Sequence, residues 1–326
     1  MTATVERTVV HSETDLTLRV ARKWQEADGV VALTLEHPTG GLLPRWEPGA
    51  HVDVIVGDGS ARQYSLCGDP RDRTQWTIAV LHESEGRGGS VWIHQTLVES
   101  QDIQIRGPRN HFHLDPAPRY LFIAGGIGVT PLLPMIATAE AAGADWRLVY
   151  GGRALENMAF RPALERYGDR VQFHPQSTSG RLDLAGLLGT PEEELLVYCC
   201  GPGSLLDAVE DMCAPWPRGS LYIERFSARE NADEENANTA FEVELSISGR
   251  TLSIPADRTV LEVLEEEQVD IVSSCAEGTC GSCETVVLEG IPDHRDSVLS
   301  QDERDANDRM MVCVSRCRGS RLVLEL

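Results

Sequence analysis

Four cysteines near the C-terminal end constrain this chain more than any other feature. Cys275-Ala-Glu-Gly-Thr-Cys280-Gly-Ser-Cys283 is followed by Cys313 thirty residues later. The spacing C-x4-C-x2-C with a distant fourth cysteine is that of a plant-type 2Fe–2S centre. Two irons need four thiolates on one side of a compact cluster, so three must converge from one tight loop. Gly278 and Gly281 supply the turns, and backbone N–H groups in such a loop can hydrogen-bond the sulfurs. A zinc site is the alternative, but structural zinc usually draws on two separate C-x2-4-C knuckles, whereas three of these cysteines fall in one continuous C-x4-C-x2-C run. Cys317 competes with Cys313 for the fourth position. Cys313 is preferred because Met310-Met311-Val312-Cys313-Val314-Ser315 reads as the start of a regular strand. Cys67, Cys199, Cys200 and Cys213 read as buried small apolar residues.

The cysteine loop ends a chain of 326 residues, long enough for two or three domains. Residues 1–116 hold short period-two apolar runs bounded by Gly, Pro and Asp, which predict an antiparallel β-barrel or sandwich. Residues 117–227 alternate apolar strands with helical segments, which predicts a doubly wound parallel α/β sheet. Residues 228–240 are acidic and poor in apolar side chains, the composition of a linker. Residues 241–326 open with a hairpin, FEVELSISGRTLSIPAD. A short helix, TVLEVLEEEQV, follows with Thr259 as its N-cap.

Charge excludes some partners. The net charge of −22 repels nucleic acid and anionic membrane. The uncharged stretch Tyr120–Ala139 carries Gly125, Gly126, Gly128, Pro131 and Pro134, so it reads as strand, glycine turn and helix start rather than a membrane span. The first twenty residues are charged throughout and lack the apolar core of a signal peptide. Nine cysteines without such a signal favour metal ligation or free thiols over disulfides. The expected location is therefore the cytoplasm.

Three further motifs carry chemistry. Gly86-Arg87-Gly88-Gly89-Ser90 has the composition of a phosphate cradle, in which glycines let backbone N–H groups approach an anion. Ala124-Gly125-Gly126-Ile127-Gly128-Val129-Thr130-Pro131 follows an apolar strand and precedes a helix, the context of a nucleotide-binding glycine turn. Cys200-Gly201-Pro202 ends another strand. The nine histidines show no metal spacing, and no Ser/His/Asp arrangement is expected.

With Arg62-Gln63-Tyr64-Ser65-Leu66, these motifs and the C-terminal cluster together resemble the phthalate dioxygenase reductase family, which includes vanillate O-demethylase reductases. The likeness implies a flavin barrel, a nucleotide-binding domain and a C-terminal β-grasp ferredoxin domain. It implies hydride transfer from NAD(P)H to FMN, then single electrons through the cluster to a partner oxygenase. Tyr64 and Phe226 would cover the flavin ring and Ser65 would lie near its N5. Arg62, Val80, Gly88, Gly89 and Ser90 would complete the FMN site. Gly125, Gly126, Gly128, Thr130, Arg153, Cys200, Gly201 and Pro202 would hold the nucleotide, and Cys275, Cys280, Cys283 and Cys313 the cluster.

Some points stay open at this stage. No carboxylate stands out to take a ribose 2′-hydroxyl, whereas Arg153, Ser177, Ser179 and Arg181 suit a 2′-phosphate. NADH is expected, with NADPH as the alternative. FMN is preferred to FAD because Trp92, the stacking platform adenine would need, falls on one helical face with Ile93 and Leu97. A self-sufficient oxidase or dehydrogenase and a non-enzymatic ferredoxin carrier are the competing functions. A Rieske oxygenase, a demethylase and a haem monooxygenase are equally compatible partners.

Overall fold

Alternating apolar residues build the first sheet. The computed structural model describes residues 14–228 and 238–326, so the expectation for the first residues and most of the linker lie outside the described residues. Strands β1 (Thr14–Ala27), β2 (Val30–Glu36), β3 (His51–Ile55), β4 (Ala61–Ser65), β5 (Gln75–Leu81) and β6 (Asp102–Arg109) form one antiparallel sheet in the order β4-β3-β6-β1-β2-β5. A bridge from Leu66 to Ile78 brings its two edges together into a barrel. Leu18, Leu33, Val52, Val54, Trp76 and Ile78 fill it, all essentially without solvent contact.

The helix that carries Trp92 and Ile93 ends before Leu97. It spans Gly89–Gln95, so Gly89 and Ser90 belong to its first turn. Trp92 is half-buried against the barrel core, in keeping with a packing role. Lys23 closes the far end of this helix. Its Nζ donates to the carbonyls of Ile93, His94 and Leu97 at 2.7, 2.8 and 2.7 Å. A cation suits the carbonyl end of a helix. Lys23 is the only lysine in the chain.

The second sheet is wholly parallel. Strands β7 (Arg119–Gly125), β8 (Asp145–Gly152), β9 (Val171–Pro175), β10 (Leu195–Cys200) and β11 (Leu221–Glu224) run in the order β11-β10-β7-β8-β9. The order reverses between β7 and β10, so their C-terminal ends flank the crevice where such sheets bind ligands. Helix Val129–Ala141 starts one turn after β7.

The third unit comprises β12 (Phe241–Leu245), β13 (Arg250–Ile254), β14 (Glu284–Glu289), β15 (Pro292–Asp293), β16 (Arg309–Met311), β17 (Arg316–Cys317) and β18 (Arg321–Leu324). Its main sheet has the order β13-β12-β18-β14-β16, with β12 and β18 parallel. Helix Val260–Glu266 packs Val260, Leu261, Val263 and Leu264 onto it, the β-grasp arrangement. Thr259 caps that helix as expected: its Oγ1 accepts from the Glu262 N–H at 3.1 Å, and Glu262 Oε2 accepts from the Thr259 N–H at 2.8 Å. The expected strand start around Cys313 is not formed. β16 stops at Met311, and Cys313 stands in the turn that follows.

Candidate functional site

The cysteine loop brings the expected four thiols together. Cys275 contacts Cys280 and Cys313 through its sulfur, and Cys283 contacts Cys313. Hydrogen bonds from Cys280 and Cys313 hold the Cys275 thiol far below its ordinary range, and the same contacts push Cys280 and Cys313 up. Among the described residues no three His, Cys, Asp or Glu side chains surround a single ion position. Backbone N–H groups of Glu277 and Thr279 point at Cys275 Sγ, at 3.3 and 3.5 Å. Gly278 and Gly281 take left-handed backbone angles, φ 68° and 73°, as the tight loop requires. Cys317 lies elsewhere, its sulfur near the backbone of Gly319 and Arg321. The donor set therefore fits a 2Fe–2S cluster at Cys275, Cys280, Cys283 and Cys313.

A cleft opens beside this loop, enclosing ≈ 1010 Å³ with its mouth included. Arg62, Tyr64, Ser65, Gly89 and Ser90 line it from the barrel, Thr130 and Phe226 from the parallel sheet, and Cys275 from the third unit. Burial raises the Tyr64 hydroxyl above its usual range. Phe226 keeps 43 % of its surface exposed, an aromatic face open to the cleft. Arg62 lies across the glycine loop, donating to the carbonyls of Ala61 and Arg87 at 2.7 and 2.8 Å. Gly89 is needed beneath it, because a Cβ there would meet Arg62 Cγ at 2.5 Å. This cradle fits a phosphate monoester. Ser90 contributes less than expected, since its hydroxyl is engaged with the Glu83 backbone at 3.0 and 3.3 Å. Gly88, with φ 79°, sets the turn into the helix without lining the cleft.

Val80 is not on the cleft. It is fully buried in the barrel core, while its neighbours Ala79 and Leu81 face the cleft. Strand alternation makes this an either/or matter: one position along β5 separates core from site.

The glycine turn after β7 and the Cys-Gly-Pro turn after β10 lie back to back. A Cβ on Gly128 would fall 2.3 Å from the Cys200 carbonyl oxygen, and one on Gly125 would fall 2.6 Å from Pro202 Cδ. These glycines are thus required by protein packing before any ligand is considered. Burial raises the Cys200 thiol well above its usual range and keeps it neutral. Cys67, Cys199 and Cys213 are buried as expected. Arg153 is exposed after β8, where its carbonyl accepts from the Ser177 N–H at 2.9 Å and so joins the loops after β8 and β9.

Two residues of the site were not expected. Glu224 ends β11 behind the cleft wall, where the Ser65 hydroxyl, which lines the cleft, donates to its Oε2 at 3.5 Å. Burial raises its pKa to about 8. Its signal in the sequence is a lone acid closing an apolar strand, immediately before Arg225 and Phe226. Asp53 is the second, a carboxylate inside the apolar run HVDVI. An exposed ion pair also crosses to the cluster loop, Arg87 to Glu277 at 2.9 Å. Such a pair contributes at most ~1 kcal/mol.

Comparison with known proteins agrees with this geometry. Residues 243–318 match the family model of the 2Fe-2S iron-sulfur cluster binding domain. Phenoxybenzoate dioxygenase subunit beta of Ectopseudomonas oleovorans is 40% identical over 95% of this chain and 97% of its own. Phthalate dioxygenase reductase of Burkholderia cepacia is also 40% identical, over 95% and 97%. Among solved structures, an intact type IV self-sufficient cytochrome P450 monooxygenase matches with TM-score 0.90 and 44% identity, over 96% of this chain. The present chain spans only 41% of that protein. Barrel, parallel sheet and cluster domain together define a flavin and iron–sulfur oxidoreductase. The chain belongs to the phthalate dioxygenase reductase family.

Proposed function

We propose that the chain is the NAD(P)H-dependent reductase component of an oxygenase system, with FMN in the cleft and a 2Fe–2S cluster at Cys275, Cys280, Cys283 and Cys313. One observation carries this reading: a single cleft is walled by the barrel, the parallel sheet and a cluster cysteine. Bound there, the flavin would accept electrons in pairs and release them singly, and the cluster would carry them singly at low potential.

The chain's own residues do the positioning. Arg62 and the backbone of Gly89 and Ser90 hold the phosphate, with Gly88 setting the turn that presents them. Tyr64 and Phe226 give the ring apolar surface and exclude water. Ser65 orients it by hydrogen bonding, and Glu224 stands behind Ser65 with its carboxyl raised to about 8 by burial. Gly125, Gly126, Gly128, Thr130, Cys200, Gly201 and Pro202 form the nucleotide's seat at the switch point between β7 and β10. Arg153 stands where a ribose substituent would be read. NADH is the expected donor, and a 2′-phosphate is the alternative Arg153 favours. The partner is an oxygenase. The likeness to a self-sufficient P450 makes a haem monooxygenase a specific alternative to an oxygenase subunit of the phthalate type. Among the described residues no helix is long and apolar enough to cross a membrane. Among the described residues no cysteine is in a disulfide, which suits a reducing compartment, and we place the chain in the cytoplasm.

The purified chain should release FMN on heating and yield two irons and two acid-labile sulfides. It should oxidise NAD(P)H with both a two-electron dye and a one-electron protein acceptor. FAD in place of FMN would overturn the phosphate cradle. Zinc in place of iron would overturn the cluster.

A further inference from the structure

Strand β3 has no solvent face. Alternation sends Val52 and Val54 into the barrel core and His51 and Asp53 to the other side, yet His51 and Asp53 are each only 1% exposed. The cluster loop covers them. His51 stacks on His111 with ring centroids 6.2 Å apart, and Gly281 lies against His111 so closely that a Cβ would sit 2.2 Å from its Nε2. Asp53 Oδ1 pairs with Arg109 Nη2 at 2.7 Å, both side chains being almost wholly buried. Asp53 Oδ2 accepts from the Ser274 hydroxyl at 2.6 Å, across 221 positions of sequence.

A buried carboxylate persists only when paired and hydrogen-bonded. Arg109 supplies the pairing through one oxygen. The other oxygen is thereby oriented for a donor, and that donor is the residue immediately before the cluster cysteine Cys275. Two other ionic contacts to this unit among the described residues, Arg87 to Glu277 and Arg218 to Asp302 and Asp305, are exposed and weak by comparison.

We propose that Asp53 is a positioning residue for internal electron transfer. Through Ser274 its carboxylate fixes the cluster loop against the wall of the flavin cleft and so sets the gap that electrons cross. Asp53 takes no part in the electron count; it holds a distance, on which transfer depends steeply. The inference rests on the reductase reading above, and failure of that reading would show in the parent chain as absent NAD(P)H oxidation, before any variant is compared.

Ser274→Ala is the informative change, because it leaves the buried Asp53–Arg109 pair intact, whereas Asp53→Asn removes the charge of that pair and risks unfolding the barrel. In the flavin- and iron-loaded chain, Ser274→Ala should slow flavin-to-cluster transfer in stopped flow by about tenfold, the weight of one hydrogen bond to a buried charged acceptor. NAD(P)H oxidation by a two-electron dye should stay unchanged. Amide hydrogen exchange over residues 273–281 should rise by about the same factor, a readout independent of turnover. Ser274→Thr keeps the hydroxyl and should restore both. Parent-like transfer in Ser274→Ala, parallel loss of dye reduction, or failure of Ser274→Thr to rescue would each overturn the proposal.

Discussion

Gly89→Ala should loosen the flavin without unfolding the barrel. The added Cβ would stand 2.5 Å from Arg62 Cγ and 2.8 Å from its Nε, so the arginine must swing away from the loop it crosses. Two hydrogen bonds, to the carbonyls of Ala61 and Arg87, go with it. The phosphate also loses a fixed cation. Charge-assisted hydrogen bonds are each worth about 1.5–3 kcal/mol, so losing the clamp should raise the FMN dissociation constant by roughly 10- to 100-fold. The backbone is not at fault: position 89 lies in the first turn of a helix, where alanine gains up to ~1 kcal/mol over glycine. Tm of the flavin-free chain should therefore hold. Flavin fluorescence, quenched on binding, gives the dissociation constant by titration. Arg62→Ala combined with Gly89→Ala should add little to either single change, because both remove one clamp. A Gly89→Ala chain that binds FMN within about twofold of the parent, or fully additive effects in the pair, would refute a clamp made by Arg62.

Other perturbations test separate parts. Cys280→Ser should spare NAD(P)H oxidation by a two-electron dye and abolish reduction of a one-electron acceptor; joint loss with flavin still bound would contradict a serial path. Glu224→Gln tests the buried carboxyl, held up to about 8 against an ordinary 4.5. A raised carboxyl favours the fold while protonated, so its contribution is complete below the ordinary value and is lost as pH climbs through about 8. The flavin-free parent should lose Tm between about pH 5 and pH 8 and level off above that, and the always-neutral glutamine should flatten that decline. Gly128→Ala must part the two turns that meet 2.3 Å from its Cβ. A cost of about 1–3 kcal/mol is expected, visible as a lower Tm and a raised KM for the nucleotide with flavin content unchanged.

The sequence was most legible where a motif is local. Cys275 to Cys283 announced both the loop and its chemistry, because ligand spacing is fixed by the size of the cluster. The glycine turn after β7 and the Thr259 cap were legible for the same reason, each being closed within a few residues. Val80 shows the first limit. The apolar run QWTIAVL fixes a strand but not its phase, and the packing of Trp76 and Ile78 inward sends Val80 with them. Ser90 shows the second: a hydroxyl in a phosphate-like loop was also the nearest partner for the backbone of Glu83. Asp53 shows the third. Its burial depends on a loop from another domain, and no local pattern encodes a contact at that separation.

The solitary lysine has a practical consequence. Amine-directed reagents find a single side-chain target in this chain, and Lys23 already gives its ammonium to three carbonyls. Carbodiimide coupling to a redox partner must then run almost wholly in one direction, from the carboxylates of this acidic chain to the partner's own lysines. Each cross-link recovered would name an acidic residue here and a basic one there, and the docking face would be read without the ambiguity that two-way coupling brings.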